Sequence, residues 1–320
     1  MNIKYILIVL GEPYSTFSEI IGKYFSKIRK FKRKIIIIGN KNLLEKQLKY
    51  LNYKLKINEI NNYDEAKKNK INIININFKH KKIFDKISKK SNNYIENSFQ
   101  KSLEIIKKEK NNLILINGPV SKKTFLKKKF SGITEYLAKN TKSSHETMLI
   151  YNNKISVSPL TTHIPIKNVA KEIKKNKIYM NVINLYNFYK KILNKRALFA
   201  VLGLNPHCET IDKFDEDEKI IKPSIKYLKS RGLNINGPYS ADTFFLKKNV
   251  NKFDLVVGMY HDQVLTPIKT LFGFEAINIT IGLPFIRISP DHGPNHKMAG
   301  KKLSDPTSIF YALEFINKFK

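Results

Sequence analysis

The stretch "KYILIVLGEPYSTFSEIIGKYFSKIRKFKRKIIIIG", residues 4–39, carries the pattern on which the fold turns. Lys4–Leu10 is a short apolar run and reads as a buried strand. Helical spacing follows near Ser18–Ile28, and Lys34–Ile38 is a second strand that stops at Gly39. The same alternation runs outward along the chain. Strands are expected at Asn72–Phe78, Asn112–Ile116, Ala197–Gly203 and Leu255–Gly258, and helices at Glu96–Lys108, Phe214–Ser230 and Thr307–Lys320. Strands alternating with longer helices predict an α/β fold with a mostly parallel sheet and helices on both faces. A chain of 320 residues suits one large domain or two lobes. No internal repeat and no Pro/Gly/Ser-rich linker divides it, so two lobes would be built from interleaved segments.

Composition narrows the function. Hydrophobic residues make up 42%, enough for a real core, so disorder is not expected. The 59 basic and 26 acidic residues leave a net charge of +33. Such a charge suggests nucleic acid, but the lysines are spread evenly among Ile and Asn, as in "KKNKINIININFKHKK", and no nucleic-acid module is visible. A solvated Lys-rich surface that draws in anionic substrates and cofactors is the better reading. The single cysteine, Cys208, cannot form an intrachain disulfide and fits a reducing compartment. The apolar run Tyr5–Leu10 is short for a signal peptide, and nothing approaches the ~20 apolar residues of a membrane span. A soluble cytoplasmic protein without membrane or nucleic-acid partners is expected.

The chain has seven histidines, and three share a setting: His163 in "SPLTTHIP", His207 in "LGLNPHCE" and His261 in "VVGMYHDQ". Each follows an apolar, strand-like run. Ligand-binding groups in open α/β sheets gather beyond the carboxyl ends of strands. Three neutral imidazoles there could hold a divalent metal and leave a position for substrate. Spacings of 44 and 54 residues are no local metal signature, and a histidine after a strand is more often a hydrogen-bonded turn residue. Other groups add weight. Asp262 follows His261, and Asp242 lies in "GPYSADTFF". Lys269, Asn278 and Arg287 lie in "PIKTLFGFEAINITIGLPFIR", and two cations with an amide suit a phosphate or carboxylate. Arg287 closes an apolar stretch that should be buried, so a surface role suits it least.

Seven ordered segments together resemble the 4-hydroxythreonine-4-phosphate dehydrogenase family of vitamin B6 biosynthesis: "NGPVSKKTF", "TTHIPIKNV", "LGLNPH", "GPYSADTFF", "MYHDQVLTPIK", "NITIGLPFIRISPDHG" and "MAGKK". The resemblance implies a two-lobed α/β/α fold like isocitrate and isopropylmalate dehydrogenases, not a classical Rossmann fold. The missing G-x-G-x-x-G after the first strand therefore does not speak against a dinucleotide. The lobes would be residues 1–130 plus 295–320, and 131–294, with most metal and substrate residues in the second and the active-site cleft between them. The resemblance further implies that His163, His207 and His261 bind one divalent metal (Zn, Mg or Co). Thr134, Lys269, Asn278 and Arg287 would bind a phosphorylated substrate, and Asp291, His292, Gly293, Ala299 and Gly300 would hold NAD or NADP. It implies a homodimer with a shared site, one histidine coming from the neighbour. Asp242 and Asp262 would orient the substrate's amino group or the metal ligands, and Lys269 would transfer a proton or hold phosphate.

Three stretches depart from the family's pattern. Ile133, in Gly132-Ile133-Thr134-Glu135, stands where a histidine usually helps hold phosphate. Gly11-Glu12-Pro13-Tyr14-Ser15-Thr16-Phe17 replaces a run of small residues and glycines, and Cys208–Asp212 replaces a Gly-rich stretch. The expected reaction is metal-dependent, NAD(P)-linked oxidation of 4-phosphohydroxy-L-threonine to 2-amino-3-oxo-4-phosphooxybutanoate. That product decarboxylates to 3-amino-2-oxopropyl phosphate on the way to pyridoxal phosphate. The alternatives are a dehydrogenase of threonate or erythronate 4-phosphate, and a catalytically silent metal-binding homologue.

Overall fold

The computed structural model describes residues 3–28, 30–109, 112–126, 129–130, 132–211, 213–273, 275–290 and 293–319. The chain forms two compact units, Met1–Ser143 with Leu283–Lys320, and Ser144–Gly282. The first unit holds strands β1 (Tyr5–Val9), β2 (Lys34–Gly39), β3 (Ile57–Ile60), β4 (Ile71–Asn75) and β5 (Leu113–Asn117). The second holds β6 (Thr147–Tyr151), β7 (Ser156–Thr161), β8 (Phe199–Leu202), β9 (Ile235–Tyr239), β10 (Leu255–Tyr260) and β11 (Ile277–Ile281). The chain then returns to the first unit with β12 (Ile286–Ser289). Among the described residues no helix is long and apolar enough to cross a membrane.

In the first unit the strands lie in the order β3-β4-β2-β1-β5-β12, all parallel. Parallel strands covered on both faces need unbroken apolar runs, which explains the Ile35–Ile38 tetrad, each residue at most 1% exposed. Burying one such side chain contributes about 1.5–3 kcal/mol. The helix Phe17–Lys27 turns Phe17, Ile20, Ile21, Tyr24 and Phe25 inward at helical spacing. The expected strands and helices appear with shifted ends. The helix predicted from Glu96 begins at Asn92, and the one predicted to Lys320 ends at Asn317.

In the second unit the order is β11-β6-β7-β10-β8-β9. The pairs β11–β6 and β6–β7 are antiparallel, and β7–β10, β10–β8 and β8–β9 are parallel. The helix expected over Phe214–Ser230 is regular only from Lys222, after a π-turn at Asp217–Ile221. Asp217 is fully buried and accepts hydrogen bonds from the backbone N–H of Leu204 (2.9 Å) and Asn205 (3.0 Å). Those bonds tie the segment down before the regular helix starts.

The units divide at other points than the sequence reading placed them. Residues 132–143, 283–290, 293 and 294 belong to the first unit. Tyr136, Leu137, Leu283 and Phe285 share one apolar cluster with Phe99 and Phe125, and β12 pairs with β5. Packing of these side chains, rather than sequence position, sets the boundary.

Candidate active site

Arg287 is a buried cation of the first unit. It sits on β12, beside the carboxyl-terminal half of β5, and is 2% exposed. Its Nε donates to Asn117 Oδ1 at 2.7 Å and its Nη1 to Thr134 Oγ1 at 2.9 Å. Asn117 is the last residue of β5, and its Nδ2 donates to Gly118 O at 2.9 Å, which fixes the amide. Thr134 stands in the first turn of the helix Ile133–Asn140. Burial lowers the Arg287 pKa to about 10, and the neighbouring Glu135 charge opposes the drop. The guanidinium therefore stays cationic at neutral pH. A buried, oriented cation of this kind is suited to a phosphate or carboxylate. Thr134 and Arg287 were both expected in the site and are brought together. Asn117 was missed, although it opens the quoted segment "NGPVSKKTF".

A cavity of about 790 Å³ opens in the same unit. Its walls are Asn117–Lys123 without Gly118, Ile133, Ser289 and Gly293–Met298, with Ile87 and Leu126. That volume suits a small-molecule or cofactor site. Gly293, expected to touch cofactor, lines it. Ala299 and Gly300 do not appear in the wall. Ala299 N–H bonds back to His296 O at 3.3 Å, and Gly300 adopts φ +82° with an added Cβ only 3.0 Å from the Phe84 ring. Asp291 and His292, assigned to the cofactor from the resemblance, lie outside the described residues. Ile133 lies in the cavity wall and offers no hydrogen bond there.

The departing N-terminal loop packs beneath this wall. Gly11 has φ +72°, and a Cβ there would come within 2.5 Å of Pro119 O. Glu12 N–H donates to Pro119 O at 2.9 Å, and Thr16 N–H to Pro294 O at 3.2 Å. The Glu12 carboxyl is buried. It accepts from the Ser91 hydroxyl at 2.9 Å, while its other oxygen has no partner among the described residues. Burial pushes its pKa up to about 7, against the lowering effect of Ser91.

The three histidines expected to bind metal belong to the second unit. His163 follows β7 and His261 follows β10, and these parallel neighbours end together at the Thr161–Tyr260 pair. The two rings stand 5.8 Å apart. His261 Nδ1 lies 2.6 Å from Asp262 Oδ1, which orients the ring. His207 follows β8, the other neighbour of β10, in a left-handed conformation at φ 56°. Among the described residues no three His, Cys, Asp or Glu side chains form a group that could hold a metal. The structure thus pairs His163 with His261 and leaves the expected triad unassembled within one chain. The pair fits two ligands of a divalent ion, and its imidazoles are the right donors for one.

The remaining expected residues of this unit differ in exposure and bonding. Asp242 is exposed and accepts from the N–H of its neighbour Thr243 at 2.8 Å, and the Asp262 side chain is 79% exposed. Lys269 lies on the helix His261–Phe272, and partial desolvation lowers its pKa. Asn278 is half-buried on β11, and its Oδ1, shielded from solvent, has no hydrogen-bond partner among the described residues. An orphaned acceptor fits a substrate that brings a hydroxyl or amino donor.

Similarity to known proteins bears on this site. The family described as pyridoxal phosphate biosynthetic protein PdxA matches residues 31–316. The chain belongs to the PdxA family. The 4-hydroxythreonine-4-phosphate dehydrogenase of Sulfurihydrogenibium sp. (strain YO3AOP1) is 37% identical over 96% of this chain and 95% of its own length. The D-threonate 4-phosphate dehydrogenase of Pectobacterium atrosepticum is 34% identical over 58% of this chain and 57% of its own. The crystal structure of a 4-hydroxythreonine-4-phosphate dehydrogenase from Burkholderia phymatum superposes with a TM-score of 0.79 at 26% identity, covering 98% of this chain and 97% of that one. Isocitrate dehydrogenase from Methylococcus capsulatus superposes at 0.51 with 10% identity, covering 98% and 85%, which places the fold with that class. As a PdxA-family enzyme the chain is an oxidoreductase, and the silent-homologue reading is set aside.

Proposed function

We propose that this PdxA-family enzyme oxidises 4-phosphohydroxy-L-threonine with NAD or NADP and one divalent metal, in the cytoplasm, as a homodimer. The observation that carries the reading is Arg287: buried, cationic, and aimed by Asn117 and Thr134, with Asn117 forming part of the wall of a cofactor-sized cavity. Arg287, Thr134, Lys269 and Asn278 bind the phosphate and neighbouring oxygens. His163 and His261 hold the metal with His207, one of the three coming from the partner chain, and Asp262 keeps the His261 ring in place. A bound divalent ion would polarise the reacting hydroxyl, and nicotinamide would take the hydride. Lys269, with its lowered pKa, suits the transfer of the hydroxyl proton. Asn278 Oδ1 and Asp242 orient the amino group. Gly293, Ala299 and Gly300, with Asp291 and His292, hold the dinucleotide. The 3-oxo product then loses CO₂ and gains a proton at the carbon released.

A second reading, D-threonate 4-phosphate as substrate, is favoured by Ile133. Ile133 places an apolar side chain in the cavity wall where the family's pattern has a histidine, and a relative carries the threonate name. The test is NAD(P)H formation from each substrate, with and without chelator. Chelator-sensitive turnover of 4-phosphohydroxy-L-threonine supports the first reading. Turnover of the threonate alone supports the second, and turnover of neither defeats both.

A further inference from the structure

We infer that the Glu19–Lys23 pair is a positioning device for the segment 293–304, and that it sets how tightly the enzyme binds its dinucleotide. This rests on the dehydrogenase reading above. Glu19 and Lys23 lie one turn apart on the helix Phe17–Lys27, a spacing that on the surface would be an ordinary i, i+4 ion pair. Here Glu19 is fully buried. A buried carboxylate is costly unless paired and hydrogen-bonded, and this one is both. It accepts from the backbone N–H of Lys302 at 3.1 Å and of Ser304 at 2.7 Å, and lies 2.9 Å from Lys23 Nζ. Lys23 Nζ donates in turn to Lys302 O at 2.9 Å and Ser304 O at 2.6 Å. The two side chains thus clasp both N–H and both C=O groups of Lys302 and Ser304.

The clasped stretch is neither helix nor strand, so no ladder holds it otherwise. Lys302 adopts φ +61°, a left-handed conformation that a lysine keeps only when its surroundings enforce it. The same N-terminal segment pins the other end of the run through Thr16 N–H and Pro294 O. Between the two pins Asn295–Met298 form part of one wall of the 790 Å³ cavity, and turn hydrogen bonds from Met298 N–H to Asn295 O, Ala299 N–H to His296 O and Lys301 N–H to Met298 O run from that wall to the residue before Lys302. Loosening the downstream pin therefore moves a binding wall. Neither Glu19 nor Lys23 lines the cavity, so both act through the segment they hold.

The experiment uses the full chain and its Glu19→Gln, Lys23→Met and Lys23→Arg variants. NADH and NADPH affinity is read from the fluorescence of the reduced nicotinamide, alongside KM for the phosphorylated substrate and the melting temperature. Glu19→Gln and Lys23→Met should weaken dinucleotide binding tenfold or more and leave substrate KM within about twofold. Lys23→Arg, which can still reach both carbonyls, should recover most of the loss. A lower melting temperature with dinucleotide affinity unchanged overturns the inference and makes the pair merely structural. If Glu19→Gln does not fold, Lys23→Met, at a side chain 21% exposed, decides the matter alone. Absence of dinucleotide binding in the unaltered chain would bring down the dehydrogenase reading itself, a result distinct from a variant that binds normally.

Discussion

The Arg287 network in the first unit and the histidine pair in the second are built on opposite principles. Arg287 is buried, and its contacts to Asn117 and Thr134 come from the same chain and the same unit. His163 and His261 meet at the ends of two parallel strands, with an exposed Asp262 beside them and no third ligand in their group among the described residues. A buried cation must find its partners while the chain folds, because an uncompensated charge inside costs several kcal/mol. Surface imidazoles remain solvated and can wait for ligands from elsewhere. One arrangement is finished by folding, and the other is left open to a ligand.

The largest expected effect tests the unfinished half. Replacing His163, His207 or His261 by Ala should each remove nearly all turnover and weaken binding of the divalent ion, read by calorimetry. If a partner chain completes the site, inactive His163→Ala and His261→Ala chains should regain activity when mixed. Full activity of metal-free His207→Ala would break the comparison, because the site would need no third histidine.

Arg287→Ala tests the finished half. A charged hydrogen bond is worth about 1.5–3 kcal/mol, so kcat/KM should fall roughly ten- to a hundredfold. Arg287→Lys should not rescue it fully, because the bond from Nε to Asn117 and the bond from Nη1 to Thr134 cannot both be made by one ammonium. Ile133→His sharpens the result. A tighter KM would show a weakened phosphate site of the family's kind, and lower activity on the best substrate would show a pocket rebuilt for another.

Glu12 gives a smaller effect, on stability. Its folded pKa, about 7, lies above the ordinary 4.5, so the folded state holds the proton more tightly than the unfolded chain. Stability from this group is full below pH ~4.5 and falls as pH rises to about 7, by about 3 kcal/mol at most. Glu12→Gln should flatten that slope in denaturant titrations at pH 5, 6 and 8. An unchanged slope would show that Glu12 does not titrate there. The smallest effect expected is at Lys297 in the cavity wall. A cation there welcomes the extra phosphate of NADP, so Lys297→Asp should shift preference towards NAD by a few-fold. An unchanged NADP-to-NAD ratio would mean that Lys297 does not read the cofactor.

Legibility in the sequence followed local contrast. The strands β1, β2, β5 and β10 announced themselves as apolar runs between helical spacings. β9, reading INGPY, and β12, reading IRIS, carry a Gly-Pro or an Arg where a run should be, and only their neighbours make them strands. Arg287 was conspicuous for the same reason, a charge closing an apolar stretch. Asn117 was not, because one asparagine in an Asn-rich chain has no contrast. Glu19 and Lys23, one helical turn apart, carry no local sign of the segment they hold, and only the packing of residues 302–304 onto them shows it.

The order of residues by itself determined the α/β alternation, the parallel core of isoleucines and the placement of three histidines just after strands, because each depends on spacing of only a few residues. Tertiary structure alone decided where the units divide, that Asn117 and Thr134 hold Arg287, that two histidines meet while the third stays apart, and that a buried carboxylate clasps the segment after the cavity wall. The physical reason is the same in each case. These contacts join residues far apart in the chain, as Arg287 to Asn117 across 170 positions and Glu19 to Ser304 across 285, and no local pattern records which distant partner satisfies a buried charge.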